Sequence, residues 1–443
     1  MQNQGIRDAR SLGTPKMLVL GLQHMFAMFG ATVLVPALTG LSVSATLLFA
    51  GLGTLFFHFL TKGKVPAFLG SSFAYLAGYA AIAPNGETAL LPYACVGVAA
   101  SGLLYLILSA LVRGFGANRV MRFFPPVVTG PIIICIGMTL ANSAINNCTG
   151  SWDIALVAII TVVVFNIWGK GMLRIIPILL GVLVSYVYAA ITGRVDFSGV
   201  ASAAWIGLPV KMENTVFSLI GNCDVNLLVT AIIAIMPIAF ATMIEHIGDI
   251  CAISSTVGEN FIADPGLHRT LLGDGLATTI ASLFGAPANT TYGENTGVLA
   301  LTRVYDPLVI RLAAVYAIIA SFCPKFAALV SAMPTGTIGG VSLILYGMIS
   351  AIGVRNLVEN QVDLSKSRNV IVVSLIISLA LGITFSAAGA ITFHVGEFTL
   401  NFSGLAVAAL VGIVVNAILP GKDYDFQNNY EYGKTTEDHG QML

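Results

Sequence analysis

Val65-Pro66-Ala67-Phe68-Leu69-Gly70-Ser71-Ser72-Phe73 and Ala286-Pro287-Ala288-Asn289-Thr290-Thr291-Tyr292-Gly293 are two segments of one kind, each a proline followed by small and hydroxyl-bearing residues. That composition favours extended backbone over helix. Ala74 to Ala81 and Asn295 to Leu301, which follow them, read as helix. Each segment is therefore expected to be a short extended stretch leading into a half-helix. Around them the chain is almost continuously apolar: of 443 residues 56% are hydrophobic and 9% charged, and the mean hydropathy is +0.88. One soluble core cannot hide so much apolar surface, so lipid is part of the solvent. Non-helical backbone at membrane depth survives only where protein or water satisfies its polar groups. The two stretches thus read as breaks inside membrane spans; a kinked helix packed by small residues is the competing reading.

Working outward, cuts at charges and Pro/Gly clusters give fourteen spans, near residues 17–38, 41–60, 66–82, 89–112, 122–140, 153–168, 175–192, 226–253, 270–284, 287–302, 307–323, 337–354, 369–386 and 402–419. The expected class is an all-α polytopic membrane protein with its breaks in spans 3 and 10. An even number of spans leaves both termini on one side. If that side is cytoplasmic, only Arg194, Lys211 and Lys325 of the 21 basic residues fall outside, Arg311 sits near a span end, and the rest lie inside. This is the asymmetry that the positive-inside rule requires. Residues 193–225 form an external linker at mid-chain, and 421–443 a polar cytoplasmic tail. Met1 to Lys16 carries Arg7 and Arg10 without a small-residue cleavage site, so a cleaved signal peptide is not expected. Zero net charge without a basic cluster leaves nothing for a nucleic acid to bind. Cys95, Cys135, Cys148, Cys223, Cys251 and Cys323 lack CxxC or His/Cys spacing and read as packing residues, not as disulfides or metal ligands.

Three short matches recur in the same order. Leu22-Gln23-His24-Met25 in span 1 returns as Ile244-Glu245-His246-Ile247 in span 8, 222 positions on, and Pro66-Ala67 returns as Pro287-Ala288, 221 on. Gly130, six residues and Gly137-Met138 in span 5 return as Gly340, six residues and Gly347-Met348 in span 12, 210 on. Together they indicate an internal repeat. Seven spans per copy is odd, so the second copy enters the membrane from the opposite side. That is the inverted-repeat design of secondary transporters, whose substrate site lies near the midplane at the repeat interface, often beside paired broken helices.

Ionisable residues at membrane depth are costly and usually functional. Glu245, His246 and Asp249 fall inside span 8, Glu294 opens the second half-helix, and His24 lies in span 1. Glu245 and Asp249 are four apart and share a helix face, while His246 points roughly 100° away. Two carboxylates so close in a poorly solvated place do not both ionise readily, so one is expected to keep a proton. Glu245 and Asp249 are the candidates for proton coupling. Asp249 could equally be held by His24 or by a backbone amide, and His24 is a hydrogen-bonding partner or a carrier. His58 and His394 lie near span ends, and Asp274 reads as a cap or gate contact beside two glycines.

The half-helix N-termini present free N–H groups and positive dipole ends. With two carboxylates and the Phe73 ring they make a cradle that lacks arginine, lysine or a metal constellation. Sulfate or bicarbonate would want a positive site, so anions fit poorly. A planar ring with paired N–H donors and C=O acceptors fits: its N–H groups face carboxylates and its carbonyls face backbone donors. Uracil and the oxidised purines have that pattern, as do other small neutral polar solutes. None of the spans shows a continuous polar stripe for a channel, and no nucleophile is paired with an oriented base, so neither a channel nor an enzyme is expected.

Gln23-His24, Glu245-His246-Ile247-Gly248 and Glu294-Asn295-Thr296-Gly297-Val298-Leu299-Ala300-Leu301-Thr302-Arg303 resemble the marks of the nucleobase–ascorbate transporters (nucleobase:cation symporter-2), and within them the bacterial uracil permeases. The last run looks like the family signature: an acidic or amide residue, Asn, any residue, Gly, four more, then Thr-Arg. The resemblance implies core domains over 17–114 (spans 1–4) and 226–333, and gate domains over 120–192 (spans 5–7) and 334–420. It further implies proton symport without a cofactor, and a homodimer through the gate domains in the bacterial inner membrane. Uracil would be held by Glu245, Glu294 and the backbone of Phe73 and Gly293, with Gln23, Ser72, His246, Tyr292 and Asn295 in support. Uracil permeases of this kind have a histidine where Asp249 stands, as it does in purine carriers, so a xanthine or urate symporter is the alternative. Glu294 favours uracil, because those carriers commonly have glutamine there.

Overall fold

The computed structural model describes residues 5–395 and 398–421. The first half runs α1 (Thr14–Thr39), α2 (Val43–Leu60), β1 (Leu69–Ser71), α3 (Leu76–Ile82), α4 (Leu91–Phe115), α5 (Ala117–Met121), α6 (Pro126–Cys148), α7 (Trp152–Trp168), α8 (Met172–Ile175) and α9 (Pro177–Ile191). A connector bearing α10 (Ser198–Ser202) and two short 3-10 turns leads to α11 (Val225–Ile235), α12 (Ala239–Val257), α13 (Leu267–Leu283), β2 (Asn289–Thr291) and α14 (Gly293–Thr302). Then follow α15 (Pro307–Ser321), α16 (Pro324–Ser331), α17 (Thr335–Glu359), α18 (Ser367–Thr384), the hairpin β3 (Ala390–Val395) and β4 (Phe398–Ser403), and α19 (Gly404–Ile418).

Each expected span coincides with a helix or with a strand leading into one. Among the described residues, however, only seven helical stretches are long and apolar enough to cross a membrane alone, or eight if α15 and α16 count as one span bent by 88°. Span 8 is one helical stretch, Val225–Val257, with a 3-10 turn inside it. Pro237 stands in a 3-10 turn, Met236–Ile238, between α11 and α12, because a proline cannot donate the intrahelical bond its position requires. The last span starts at Gly404, not 402, since β4 extends to Ser403, whose hydroxyl accepts from the Ala406 N–H and caps α19. Helix α16 and the β3–β4 hairpin have no counterpart in the sequence reading. The tail expected over 421–443 lies outside the described residues except for Gly421.

Small residues let the long helices approach closely, as packing in lipid requires. A Cβ on Gly353 of α17 would sit 2.6 Å from the Gly130 carbonyl of α6, and one on Gly102 of α4 would sit 2.7 Å from the Gly275 carbonyl of α13. Two groups result: α6 lies against α17, α18 and α19 with α7 against α9 and α17, while α2 and α4 lie against α13, and α1 and α2 against α15.

The extended breaks are where the two proline segments place them, and they pair. β1 and β2 run antiparallel with Leu69↔Thr291, Gly70↔Thr290 and Ser71↔Asn289 in register. The Tyr292 N–H donates to the Phe68 carbonyl at 3.0 Å and the Ser72 N–H to the Ala288 carbonyl at 2.8 Å, extending the ladder at both ends. A shift of 221 residues exchanges the pair Leu69↔Thr291 with Gly70↔Thr290, so the ladder maps onto itself at the offset of the Pro66/Pro287 match. Glycine is needed at residue 70: a Cβ there would lie 2.5 Å from the Tyr292 ring and 2.8 Å from Thr32 Oγ1.

Candidate functional site

α12 carries Ile244, Ile247 and Ile250 on its packed side, leaving Glu245, Gly248 and Asp249 as a half-buried strip. α14 packs against α12 and begins where β2 ends. Glu294 stands in its first turn, and no side chain caps its N-terminus or that of α3. Gly293 and Gly297 are exposed while Asn295 is buried, so one side of α14 faces open space. Glu245 lies within electrostatic range of Asp274 and Glu294, and Asp249 within range of Glu245 and Glu294.

Asp249 is not held by His24. Thr291 Oγ1, on β2, donates to Asp249 Oδ2 at 2.8 Å. His24 belongs to a separate contact: Asn295 Nδ2 donates to the His24 carbonyl at 3.1 Å and lies 3.2 Å from His24 Nδ1. This pins the start of α14 to the middle of α1. Gln23 sits beside it on the wall of a cavity of about 450 Å3 that is lined also by Lys16, Val19, Thr302 and Val304. His246 points away from Glu245 as the helical rotation demands. Its Nδ1 lies 3.4 Å from both Thr291 Oγ1 and Asp274 Oδ2, the approach to Asp274 lacking the angle of a hydrogen bond.

Asp274 is thus not a cap. It is a fully buried mid-helix residue of α13, reached only because α13 packs against α12. Tyr292 does not face the strip either: its hydroxyl donates to the Ser71 carbonyl at 2.8 Å and locks β2 onto β1. Ser72 Oγ, Glu245 Oε2 and Thr296 Oγ1 are buried and meet no hydrogen-bonding partner among the described residues, so they are free to engage a ligand.

Phe73 is buried at the end of β1, with its ring 6.0 Å from that of Tyr346 on α17 in an edge-to-face arrangement. Sequence reasoning passed over Tyr346, although it immediately precedes the Gly347-Met348 repeat match. It also passed over Thr291, hidden inside the extended break, and over Thr242, whose Oγ1 accepts from the Tyr105 hydroxyl at 2.8 Å and lies 3.3 Å from that of Tyr75. His58 is not idle at a span end: it is buried, with Nε2 2.9 Å from the Ala67 carbonyl, steadying the entry to β1. The His394 side chain lies outside the described residues. Among the described residues none of the six cysteines forms a disulfide, three of them are buried and Cys223 is exposed, and no group of potential metal ligands occurs.

Residues 15–389 match the model of a protein family described as the Permease family. The chain belongs to this permease family. Its motifs identify that family as the nucleobase–ascorbate transporters, so the chain is a multi-pass membrane transporter and not an enzyme. It is similar to the uracil permease of Bacillus caldolyticus, with 41% identity over 96% of each chain. The uracil permease of Escherichia coli (strain K12) is 38% identical over 90% of each. Among solved structures, the transmembrane domain of a cyanobacterium bicarbonate transporter, BicA, superposes with a TM-score of 0.60, covering 94% of this chain and all of that one, at 13% identity. That likeness concerns the fold alone.

Proposed function

We propose that this permease imports uracil together with protons across the bacterial cytoplasmic membrane. The observation that carries the proposal is the half-buried strip of Glu245 and Asp249 on α12, tied by the Thr291–Asp249 hydrogen bond to the strand that leads into the half-helix bearing Glu294. The relatives named as uracil permeases, alike over nearly the whole chain, support the choice of substrate. A uracil ring N–H would donate to the Glu294 carboxylate and the protonated Glu245 carboxyl would donate its O–H to a ring carbonyl, with the other carbonyl accepting from backbone N–H groups near Phe73 and Gly293 at the start of α14. Glu245 takes up a proton from outside and uracil binds across both acids; after the site opens inward, release of the proton weakens its hold. Asp249, fixed by Thr291, tunes Glu245 as its neighbour on the strip.

The fold proposed is fourteen spans in two inverted sevens. The self-consistent strand ladder supports it, because a pseudo-two-fold axis in the membrane plane carries each strand onto the other. The core comprises α1 to α4 and α11 to α16, and the gate α6 to α9 and α17 to α19. Contacts of α1 with α9 and α17, and of α12 with α6 and α19, cross the division, as does the Phe73–Tyr346 ring pair. Alternating access is movement of one group against the other along that seam. A cytoplasmic N-terminal side is part of the proposal, and one set of contacts supports it: Ile6 bridges Val304, and Arg7 and Lys64 pair with Glu259 and Asp264, so segments assigned to that side lie together. The gate helices form the homodimer contact.

Uptake of radiolabelled uracil into proteoliposomes with an imposed inward proton gradient tests the proposal. Accumulation that collapses when the gradient is dissipated, and that resists unlabelled xanthine, is expected. Gradient-independent uptake would overturn the coupling, and stronger competition by xanthine than by uracil itself would move the assignment to purines.

A further inference from the structure

The connector, residues 193–225, carries several strongly exposed large apolar side chains. Trp205 is 72% exposed, Ile206 83% and Leu208 81%. Residues 197–210 contain no charge. Three apolar side chains side by side at such exposure do not belong in water.

Their surroundings say what covers them. The Gly207 N–H donates to the Phe322 carbonyl at 3.0 Å, and the Lys325 N–H to the Ala204 carbonyl at 3.0 Å, which fastens the connector along the junction of α15 and α16. α16 leaves α15 at 88°, so it runs across the span direction of α15. The Tyr186 hydroxyl of α9 donates to the Leu329 carbonyl of α16 at 2.9 Å, and the Tyr186 ring packs 6.1 Å from Phe197. The segment is therefore continuous with the ends of α9 and α15, whose Ile191 and Ile319 are exposed apolar residues too, on helices that are themselves strongly apolar. Lys325 Nζ sits 5.0 Å from the centroid of the Trp205 ring. An indole and an ammonium at a span end are the pairing found at the headgroup level of bilayers.

We propose that Trp205, Ile206 and Leu208, carried on the α16 platform, insert into the headgroup and upper acyl region of the bilayer as an interfacial anchor joining the two halves. The occupant of this surface is lipid: the apolar side chains continue the hydrocarbon-facing belt, and Lys325 stands where lipid phosphates lie. The connector is then a membrane-bound strap between α9 and α11 and not an aqueous loop.

Full-length protein with Trp152→Phe and Trp168→Phe keeps Trp205 as its one indole. Reconstituted into vesicles containing lipids brominated near the headgroup end of the acyl chains, it should lose most of its emission, while iodide on both sides of the membrane should leave it unchanged. The same protein with Ile206→Ser and Leu208→Ser should lose the bromolipid quenching and become open to iodide, with helix content and monodisperse elution retained as proof of folding. Quenching of the parent protein by iodide would overturn the proposal, because the indole would then lie in water. Protection from both quenchers would overturn it in favour of a protein surface, such as a second copy, covering the strap. Unchanged quenching in the serine variant would remove Ile206 and Leu208 from the anchor.

Discussion

The first broken span, β1 into α3, and the second, β2 into α14, pair strand to strand, yet α3 has seven residues and no acid while α14 has ten and opens with Glu294. The same asymmetry extends around them. Around the crossing the first half offers Ser72, Phe73 and Tyr75, none of them an acid, whereas the acids Glu245, Asp249, Asp274 and Glu294 all belong to the second half. Backbone pairing needs both copies, because each strand satisfies the amides of the other at a depth where water is scarce. Acids are a different matter, since a second set facing the first would add like charges in one poorly solvated place. On the proposed inverted repeat, duplication would supply the frame, and divergence of one copy the chemistry.

Glu245→Gln should make the largest break in this asymmetry: pH-gradient-driven uracil accumulation in proteoliposomes should vanish, while binding measured by calorimetry stays within about tenfold, because the amide keeps a hydrogen bond. Undiminished accumulation would remove Glu245 from the coupling role. Glu294→Ala takes away a charged hydrogen-bonding partner and should weaken uracil binding about 10- to 100-fold, roughly 1.5–3 kcal/mol. An unchanged affinity would show that α14 contributes only backbone. Gly70→Val tests the shared frame, since its side chain must displace the Tyr292 ring; a loss of about 1–3 kcal/mol in stability, read as a lower melting temperature in detergent, is expected from overpacking.

Tyr346→Leu removes the edge-to-face partner of Phe73 and with it about 0.5–1.5 kcal/mol of contact between the two helix groups. The effect should appear as a shift of a few-fold in apparent uracil affinity without loss of folding. The smallest change is expected at Asp264, where the first half meets the second through Lys64. The Lys64 ammonium holds the exposed Asp264 carboxyl below the usual carboxylate range. A depressed folded-state value means that the pair stabilises above the ordinary carboxylate pKa and that this is lost as pH falls through the depressed one. Between neutral pH and that acid range the melting temperature of the parent should fall slightly more than that of Asp264→Asn, and parallel curves would deny the pair any role.

Much of this could be read from the chain. Pro66 and Pro287 with their Ser/Thr neighbours marked the two extended segments, and Glu245 with Asp249 marked a helix strip, because local composition and helical rotation decide both. The pairing of Thr291 with Asp249 and the approach of His246 to Asp274 could not be read, since these partners are 42 and 28 positions apart and belong to different elements. Nor could the 3-10 turn within span 8: Pro237 was visible, but apolar residues on both sides of it satisfy a hydropathy window equally well. The β3–β4 hairpin was hidden for a related reason, because its short apolar runs look like the beginning of the span that follows.

The sequence by itself determined that this chain lives in lipid, where its breaks fall and which side chains are ionisable at depth, because those properties follow from local composition and from the cost of leaving polar groups unsatisfied in hydrocarbon. Only the tertiary structure decided that the two breaks pair, that Asn295 ties α14 to His24, and that a tyrosine from α17 closes against Phe73. Such contacts depend on how helices far apart in the chain pack their small residues together, and no local pattern encodes that geometry.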